Sequence, residues 1–183
     1  MNKKLAIPVL SLLFAVGSQA QTAFLHPDGG KRPEVERKKV YDEDINPIEQ
    51  IGQAVAKAKS EGKFVICQVG GNWCPWCLRF ADFITNDTTI SNVIGESFVY
   101  IHVNYNPRKS GGAEKEALAK AMLQRLNNPA RFGFPVFVVL DDEGKVVHIQ
   151  DSSFLEEEQG YNQEKVLRFF NNWTPKAVRQ SPK

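Results

Sequence analysis

The chain has few cysteines, few histidines and no long apolar run, and each shortage excludes a class of protein. It has three cysteines in 183 residues, an odd number and too few for a structural disulfide framework. One close cysteine pair and the scattered His26, His102 and His148 do not make a four-ligand zinc site. We therefore expect no metal and no other cofactor. The longest apolar run, residues 5–16, is too short to span a bilayer, so we expect no stable membrane insertion.

The chain also lacks a strong excess of either charge. It carries 23 basic and 21 acidic residues, and the composition is 42% hydrophobic and 24% charged, as in ordinary globular proteins. Without Lys3 and Lys4, 21 basic residues stand against 21 acidic ones. A near-neutral chain argues against nucleic acid or a polyanionic surface as the main partner.

The first twenty residues have the pattern of a secretory signal peptide. Lys3 and Lys4 precede the apolar run, and the small residues Ser18 and Ala20 stand at the −3 and −1 positions of a cleavage site. We therefore predict cleavage after Ala20 and export, most simply to a bacterial periplasm, with secretion as the alternative. Residues 21–44 follow, and ten of the last fourteen are charged. This composition predicts a flexible arm.

Apolar periodicity, turn residues and the helix caps Asn46, Asp87 and Asn162 predict one domain over residues 45–175 and a polar tail over 176–183. The predicted helices cover residues 47–61, 75–85, 88–94, 113–127 and 163–173. The predicted strands cover residues 63–69, 98–105, 136–140 and 145–150, with a hairpin turn at residues 141–144. Parallel strands with helical crossovers followed by an antiparallel hairpin predict an α/β fold, with a mixed four-stranded sheet and helices on both faces.

The chemistry of the chain centres on Cys74-Pro75-Trp76-Cys77, which follows the first predicted strand and begins a helix. At a helix N-terminus, unpaired N–H groups and the helix dipole stabilise a thiolate, which is the nucleophilic form of cysteine. Pro75 suits a first helical position because its missing N–H costs nothing there. In an oxidising compartment such a pair can cycle between dithiol and disulfide. Cys67 lies in the middle of a predicted strand and is interpreted as buried and inert.

With Trp73-Cys74-x-x-Cys77 at the end of the first strand and a proline before the hairpin, the chain resembles the thioredoxin fold, in its exported branch, over residues 45–173. The resemblance implies that Cys74 is the attacking cysteine, Cys77 the resolving cysteine and Trp73 a shield for the pair. It also implies that Pro135 is a cis-proline facing the disulfide, which turns the backbone of Phe134 toward a substrate.

Three features differ from the family pattern. Gln68 stands where the family has a buried acid, and His102 where it has the lysine partner. Because Gln68 cannot titrate, proton transfer would use water, the substrate or His102, and we take His102 and Gln68 as the candidates for a proton relay. The alternative is that His102 is only a satisfied, half-buried histidine of its strand. The predicted helix over residues 113–127 is an elongated insertion before Pro135, which either shapes substrate choice or only packs.

These observations predict thiol–disulfide exchange outside the cytoplasm, with Trp73, Pro75, Trp76, Phe134 and Pro135 forming the substrate-binding surface. The partners would be disulfide-containing proteins and an unidentified electron donor or acceptor, and we expect a monomer. Because Trp76 brings no cation to the thiolate, we favour a reductase or general exchange role. The alternatives are a disulfide oxidase or isomerase, and a thioredoxin-fold binding module without turnover.

Overall fold

The computed structural model describes residues 39–107 and 111–180; the predicted signal peptide, most of the predicted arm and the last three residues lie outside these ranges. The helices are α1 (Pro47–Glu61), α2 (Pro75–Asn86), α3 (Thr88–Ser97), α4 (Ala113–Arg125), α5 (Gln163–Asn172) and α6 (Pro175–Gln180). The strands are β1 (Phe64–Gly70), β2 (Phe98–Asn104), β3 (Val136–Leu140), β4 (Val146–Asp151), β5 (Glu156–Glu157) and β6 (Gly160–Tyr161). Within the described residues, no helix is both long and apolar enough to cross a membrane.

Most helices begin at the capping residues that the sequence predicts. The side chain of Asn46 accepts the N–H of Ile48 at 3.0 Å and begins α1, and Gly62 ends that helix in a left-handed conformation at φ 69°. Asp87 ends α2 and caps α3, and Asn162 caps α5. Local hydrogen bonding therefore fixes the helix boundaries on both sides of the cysteine turn.

The main sheet has the strand order β2-β1-β3-β4. β1 and β2 are parallel, while β3 is antiparallel to both β1 and β4. The predicted mixed four-stranded sheet is confirmed, with β1 in its interior. β1 is buried on both faces along its whole length, as its continuous apolar sequence predicts.

A separate hydrophobic core covers each face of the sheet. On one face Phe64 and Ile66 of β1 pack with Phe80 of α2, with α3 and with Phe169 and Phe170 of α5. On the other face Val65, Cys67 and Val69 of β1 pack with α1 and with Met122 and Leu126, the last residue lying just after α4. The alternation of side chains along a strand produces this division, and it places Gln68 on the α2 face.

The inserted helix and the C-terminal end differ in detail from the prediction. α4 ends at Arg125, two residues early, because Asn127 and Asn128 take left-handed conformations before a 3₁₀ turn at Pro129–Phe132. The predicted tail forms α6, in which the Thr174 side chain accepts the N–H of Ala177 at 3.1 Å. Arg179 of this helix bonds to Asp142 at 2.9 Å. The folded unit therefore continues past the predicted boundary at residue 175.

The folded unit also begins earlier than predicted. Tyr41, which lies in the predicted flexible arm, is 2% exposed. The main-chain N–H groups of Val40 and Tyr41 both donate to Oδ1 of Asn72 at 3.0 Å, and Asn72 Nδ2 donates to the carbonyl oxygen of Tyr41 at 2.8 Å. The side chain of Asn72 thus supplies the hydrogen bonds that a strand or helix would give to the backbone of residues 40 and 41. The predicted start of the domain at residue 45 is therefore too late.

Candidate active site

The cysteine pair lies where β1 ends and α2 begins. Cys74 is the N-cap of α2, Pro75 is the first helical residue, and the Cys74 sulfur accepts the N–H of Cys77 at 3.2 Å. The two cysteines form a disulfide, with Cα atoms 5.3 Å apart. Cys77 is fully buried and Cys74 is 4% exposed. The helix end therefore presents an N–H donor to the Cys74 sulfur, as the sequence predicts.

Trp73 and Phe134 lie beside this pair. The indole N–H of Trp73 donates to the carbonyl oxygen of Tyr105 at 2.9 Å, and the ring packs edge-on against Phe134 at 5.6 Å between centroids. The Phe134–Pro135 peptide bond is cis, as predicted. The carbonyl oxygen of Phe134 lies 3.6 Å from the Cys74 sulfur. The structure thus brings five of the predicted site residues together: Trp73, Cys74, Cys77, Phe134 and Pro135.

The two residues between the cysteines differ in their surroundings. Pro75 is exposed. Trp76 packs edge-on against Tyr161 at 5.5 Å, and the Tyr161 hydroxyl donates to the Trp76 carbonyl oxygen at 3.2 Å. The guanidinium of Arg79 lies over the Trp76 ring at 4.6 Å from its centroid. Trp76 therefore belongs partly to the α2 packing and partly to the surface near the disulfide.

Gln68 is a fully buried hydrogen-bonding residue below the pair. Its Nε2 donates to the carbonyl oxygen of Cys77 at 2.9 Å and to the Tyr41 hydroxyl at 2.6 Å. Its Oε1 accepts the hydroxyl of Tyr100 at 2.6 Å. Both ends of the amide are occupied by neutral partners; the participation of Gln68 in a proton relay stays a prediction.

His102 is the neighbour of Gln68 on β2. Its ring packs edge-on against Tyr41 and Tyr100, with centroids 5.2 and 5.4 Å away. Its carbonyl oxygen accepts the side-chain amide of Gln50 at 3.1 Å. The structure thus places the imidazole among aromatic rings; its participation in proton transfer stays a prediction.

Tyr41 is the site residue that the sequence did not reveal. It forms a small buried cluster with Cys74 and Cys77, to which Trp73 and Phe134 also belong. Burial raises the pKa of Tyr41 well above its usual value, so the hydroxyl keeps its proton. The only signal in the sequence was a lone aromatic residue beside Val40 in a charged segment.

The third cysteine lies apart from this cluster, on the opposite face of the sheet. Cys67 is fully buried, and burial raises the pKa of its thiol to about 12. It is therefore a protonated, unreactive thiol at neutral pH, as predicted. Among the residues that the structure describes, no group of three or more His, Cys, Asp or Glu side chains could hold a metal ion.

An open groove of about 1430 Å³ adjoins the site. Residues 39–47, Asn104, Tyr105 and side chains of α4 line it. α4 packs on the sheet through its second half, around Met122, whereas its first half is mostly exposed and borders the groove. The insertion therefore packs on the sheet and also borders this groove.

Known proteins share this architecture. Residues 51–159, more than half of the chain, match the family model of a thioredoxin-like domain. A comparison with curated proteins gave no significant match. Among solved structures, a disulphide isomerase from Xylella fastidiosa Temecula1 aligns with a TM-score of 0.60 and 21% identity, over 74% of this chain and 96% of that one.

Two further solved structures align less closely. A DsbH oxidoreductase has a TM-score of 0.49 and 17% identity, over 84% of this chain and 94% of that one. A thioredoxin from Thermus thermophilus has a TM-score of 0.47 and 20% identity, over 66% of this chain and 81% of that one. Because the family model spans the cysteine turn, the cis-proline and the sheet, the chain belongs to the thioredoxin-like domain family, and its Cys74–Cys77 pair makes it a thiol–disulfide oxidoreductase.

Proposed function

We propose that the protein works outside the cytoplasm and passes electrons to disulfides of substrate proteins, as a reductase or general exchange enzyme. The observation that carries the proposal is the position of the two sulfurs. The Cys74 sulfur receives an N–H at the start of α2 and is the one with some exposure, while Cys77 is fully buried beneath it.

The proposed reaction has two displacements. In the reduced protein the Cys74 thiolate attacks one sulfur of a substrate disulfide, and the other substrate sulfur leaves as a thiolate that takes up a proton. The Cys77 thiolate then attacks the Cys74 sulfur and releases the second substrate thiol. Two electrons pass to the substrate, and Cys74–Cys77 becomes the disulfide. A dithiol partner, through the reverse steps, restores the reduced pair.

The surface around Cys74 supports a polypeptide substrate. The carbonyl oxygen of Phe134 lies 3.6 Å from the Cys74 sulfur, and the Phe134 ring packs against the rings of Trp73 and Tyr105. An extended peptide that bonds to the main chain at Phe134 would place its own sulfur near Cys74. Pro75, Trp76 and Pro135 complete this proposed contact surface.

Trapping of mixed disulfides tests the division of labour between the cysteines. Cys77→Ser leaves the attacking thiol without its resolving partner, so we expect it to hold substrate proteins through Cys74 on non-reducing gels. Cys74→Ser is the matched control and should trap far less. Equal trapping by the two variants would contradict the assignment.

The reduction potential tests the direction. We expect equilibration of the wild-type protein with glutathione to give a value near about −270 mV, typical of reducing thioredoxins. A value near about −120 mV, typical of a strong oxidase, would reverse the proposed direction. The support for a reductase is that neither residue between the cysteines, Pro75 or Trp76, carries a positive charge that would stabilise the reduced pair.

Export rests on the first twenty residues, whose pattern is that of a signal peptide. Expression of the full chain in a bacterium should give a periplasmic protein whose first residue is Gln21. An unprocessed protein in the cytoplasmic fraction would contradict this part of the proposal. Size measurement of the same material tests the proposed monomer.

A further inference from the structure

Tyr41 lies next to the resolving cysteine, although it comes from the segment before the first helix. Gly70, at the end of β1, shows how close the two are. A Cβ on Gly70 would collide with the Cys77 sulfur and would lie 3.0 Å from the Tyr41 hydroxyl oxygen. The sulfur and the hydroxyl therefore border the same small space, which is free only because residue 70 has no side chain.

The hydrogen bonds of Gln68 determine which way the Tyr41 hydroxyl is polarised. A carbonyl oxygen can only accept, so the group that faces the Cys77 carbonyl at 2.9 Å must be the amide nitrogen of Gln68. The same nitrogen donates to the Tyr41 oxygen at 2.6 Å, and Tyr100 donates to the amide oxygen. The Tyr41 oxygen is thus an acceptor toward Gln68, and its own hydrogen is left to donate elsewhere.

When the disulfide is reduced, the chemical change closest to the Tyr41 hydroxyl is at the Cys77 sulfur. The disulfide becomes a buried thiol, and burial makes its thiolate costly, yet the second displacement requires that thiolate. A neutral hydroxyl donor directed at the sulfur would lower this cost, because hydrogen bonds to a charged acceptor are the strong ones. Burial holds the pKa of Tyr41 well above its usual value, so Tyr41 stays a donor and does not act as a base.

We propose that the Tyr41 hydroxyl donates a hydrogen bond to the Cys77 sulfur in the reduced protein and stabilises the thiolate that resolves the mixed disulfide. The inference rests on the proposed exchange reaction and assigns a further residue to it. The proton that Cys77 loses goes to water or to the departing substrate thiolate, and Tyr41 keeps its own.

The active-site loop itself holds Tyr41 in this position. Asn72, two residues before Cys74, accepts the N–H groups of Val40 and Tyr41 and donates to the Tyr41 carbonyl oxygen. A change at Asn72 should therefore act on Cys77 in the same direction as a change at Tyr41. The other ionisable groups around Cys77 and Tyr41 are Cys74, Tyr100, Tyr161 and His102.

The experiment is a titration of Cys77 in a Cys74→Ser background, by the rate of alkylation against pH with the modified peptide identified by mass spectrometry. We expect Tyr41→Phe to raise the pKa of Cys77 by about one unit, which is a tenfold loss of thiolate near neutral pH. Asn72→Ala should shift it in the same direction. Phenylalanine keeps the buried ring, so the fold should survive in Tyr41→Phe.

Tyr100→Phe is the matched control, because it removes a hydroxyl from the other end of Gln68. It should shift the pKa of Cys77 by less than about a third of the Tyr41→Phe effect. An unchanged pKa in Tyr41→Phe, or an equal shift in Tyr100→Phe, would overturn the role of Tyr41. Exchange of the wild-type protein with glutathione is measured in parallel. Absence of exchange there would overturn the proposed function itself, whereas exchange with an unshifted Tyr41→Phe would overturn only this inference.

Discussion

The buried amide of Gln68 should make a large contribution to folding stability. The side chain is fully buried and takes part in three hydrogen bonds, with the Cys77 carbonyl, the Tyr41 hydroxyl and the Tyr100 hydroxyl. Gln68→Leu keeps a similar volume but leaves these partners without the amide.

The three losses are unequal. The Tyr100 hydroxyl loses its acceptor, and an unsatisfied buried donor costs about 1–3 kcal/mol. The Cys77 carbonyl and the Tyr41 oxygen each lose one donor but keep other means of bonding, so they add less. Burying leucine in place of an amide returns part of the cost. We expect Gln68→Leu to lower the free energy of unfolding by about 2–4 kcal/mol, a large share of the roughly 5–15 kcal/mol of an ordinary domain.

Urea denaturation of the oxidised protein measures this loss, since the intact disulfide is then common to all variants. Gln53→Leu, on the exposed face of α1, is the matched control and should change stability by no more than about 0.5 kcal/mol. Removing both members of a buried hydrogen bond costs less than removing one. The double variant Gln68→Leu/Tyr100→Phe should therefore recover about 1 kcal/mol relative to Gln68→Leu. Two results would refute the reasoning. One is a loss of unfolding free energy below about 1 kcal/mol in Gln68→Leu. The other is a double variant that is less stable than Gln68→Leu.

Two further predictions concern a close contact and a titration. Gly70→Ala should destabilise the oxidised protein by about 1–3 kcal/mol in urea melts, because the added Cβ collides with the buried Cys77 sulfur. The control is Gly52→Ala, where a Cβ meets nothing within 4 Å, and it should be neutral or stabilising. Equal losses in the two variants would contradict the clash. Burial lowers the pKa of His148 below its usual 6.5, so its share of the stability is complete above that pH and decreases as the pH falls toward the lower folded value. His148→Phe, which keeps a ring against Trp173, should reduce this decrease in melts from pH 7 to 5; an unchanged slope would exclude His148 as its source.

The fold was predictable because its signals are local. Asn46, Asp87 and Asn162 cap the helices they precede, and the continuous apolar sequence before Cys74 is a strand buried on both faces. The cysteine turn needs only a strand end, a cap and a proline at the first helical position. Each of these features depends on only a few neighbouring residues, so periodicity and spacing were enough to predict it.

The position of Tyr41 was not predictable by the same means. It bonds to residues 27 and 31 positions away, Gln68 and Asn72, through an irregular segment with no periodicity of its own. The charged residues around it gave the composition of a solvated arm. Tyr41 and Asn72 nevertheless keep this segment on the fold. Burial of the Tyr41 ring and the hydrogen bonds of Asn72 to three backbone groups outweigh the preference of the charged neighbours for water.

The hydrogen bond to Tyr41 gives a physical reason for an amide, rather than a carboxylate, at position 68. A carboxylate there could accept the hydroxyls of both Tyr41 and Tyr100, but it would turn an acceptor toward the Cys77 carbonyl and a negative charge toward the Cys77 sulfur. The amide instead donates to the carbonyl and to Tyr41, so the buried cluster stays neutral. The hydroxyl hydrogen of Tyr41 is then released from Gln68 and becomes available to the sulfur. Where the resemblance implies an acid, the glutamine at position 68 therefore places a donor of hydrogen bonds beneath the resolving cysteine.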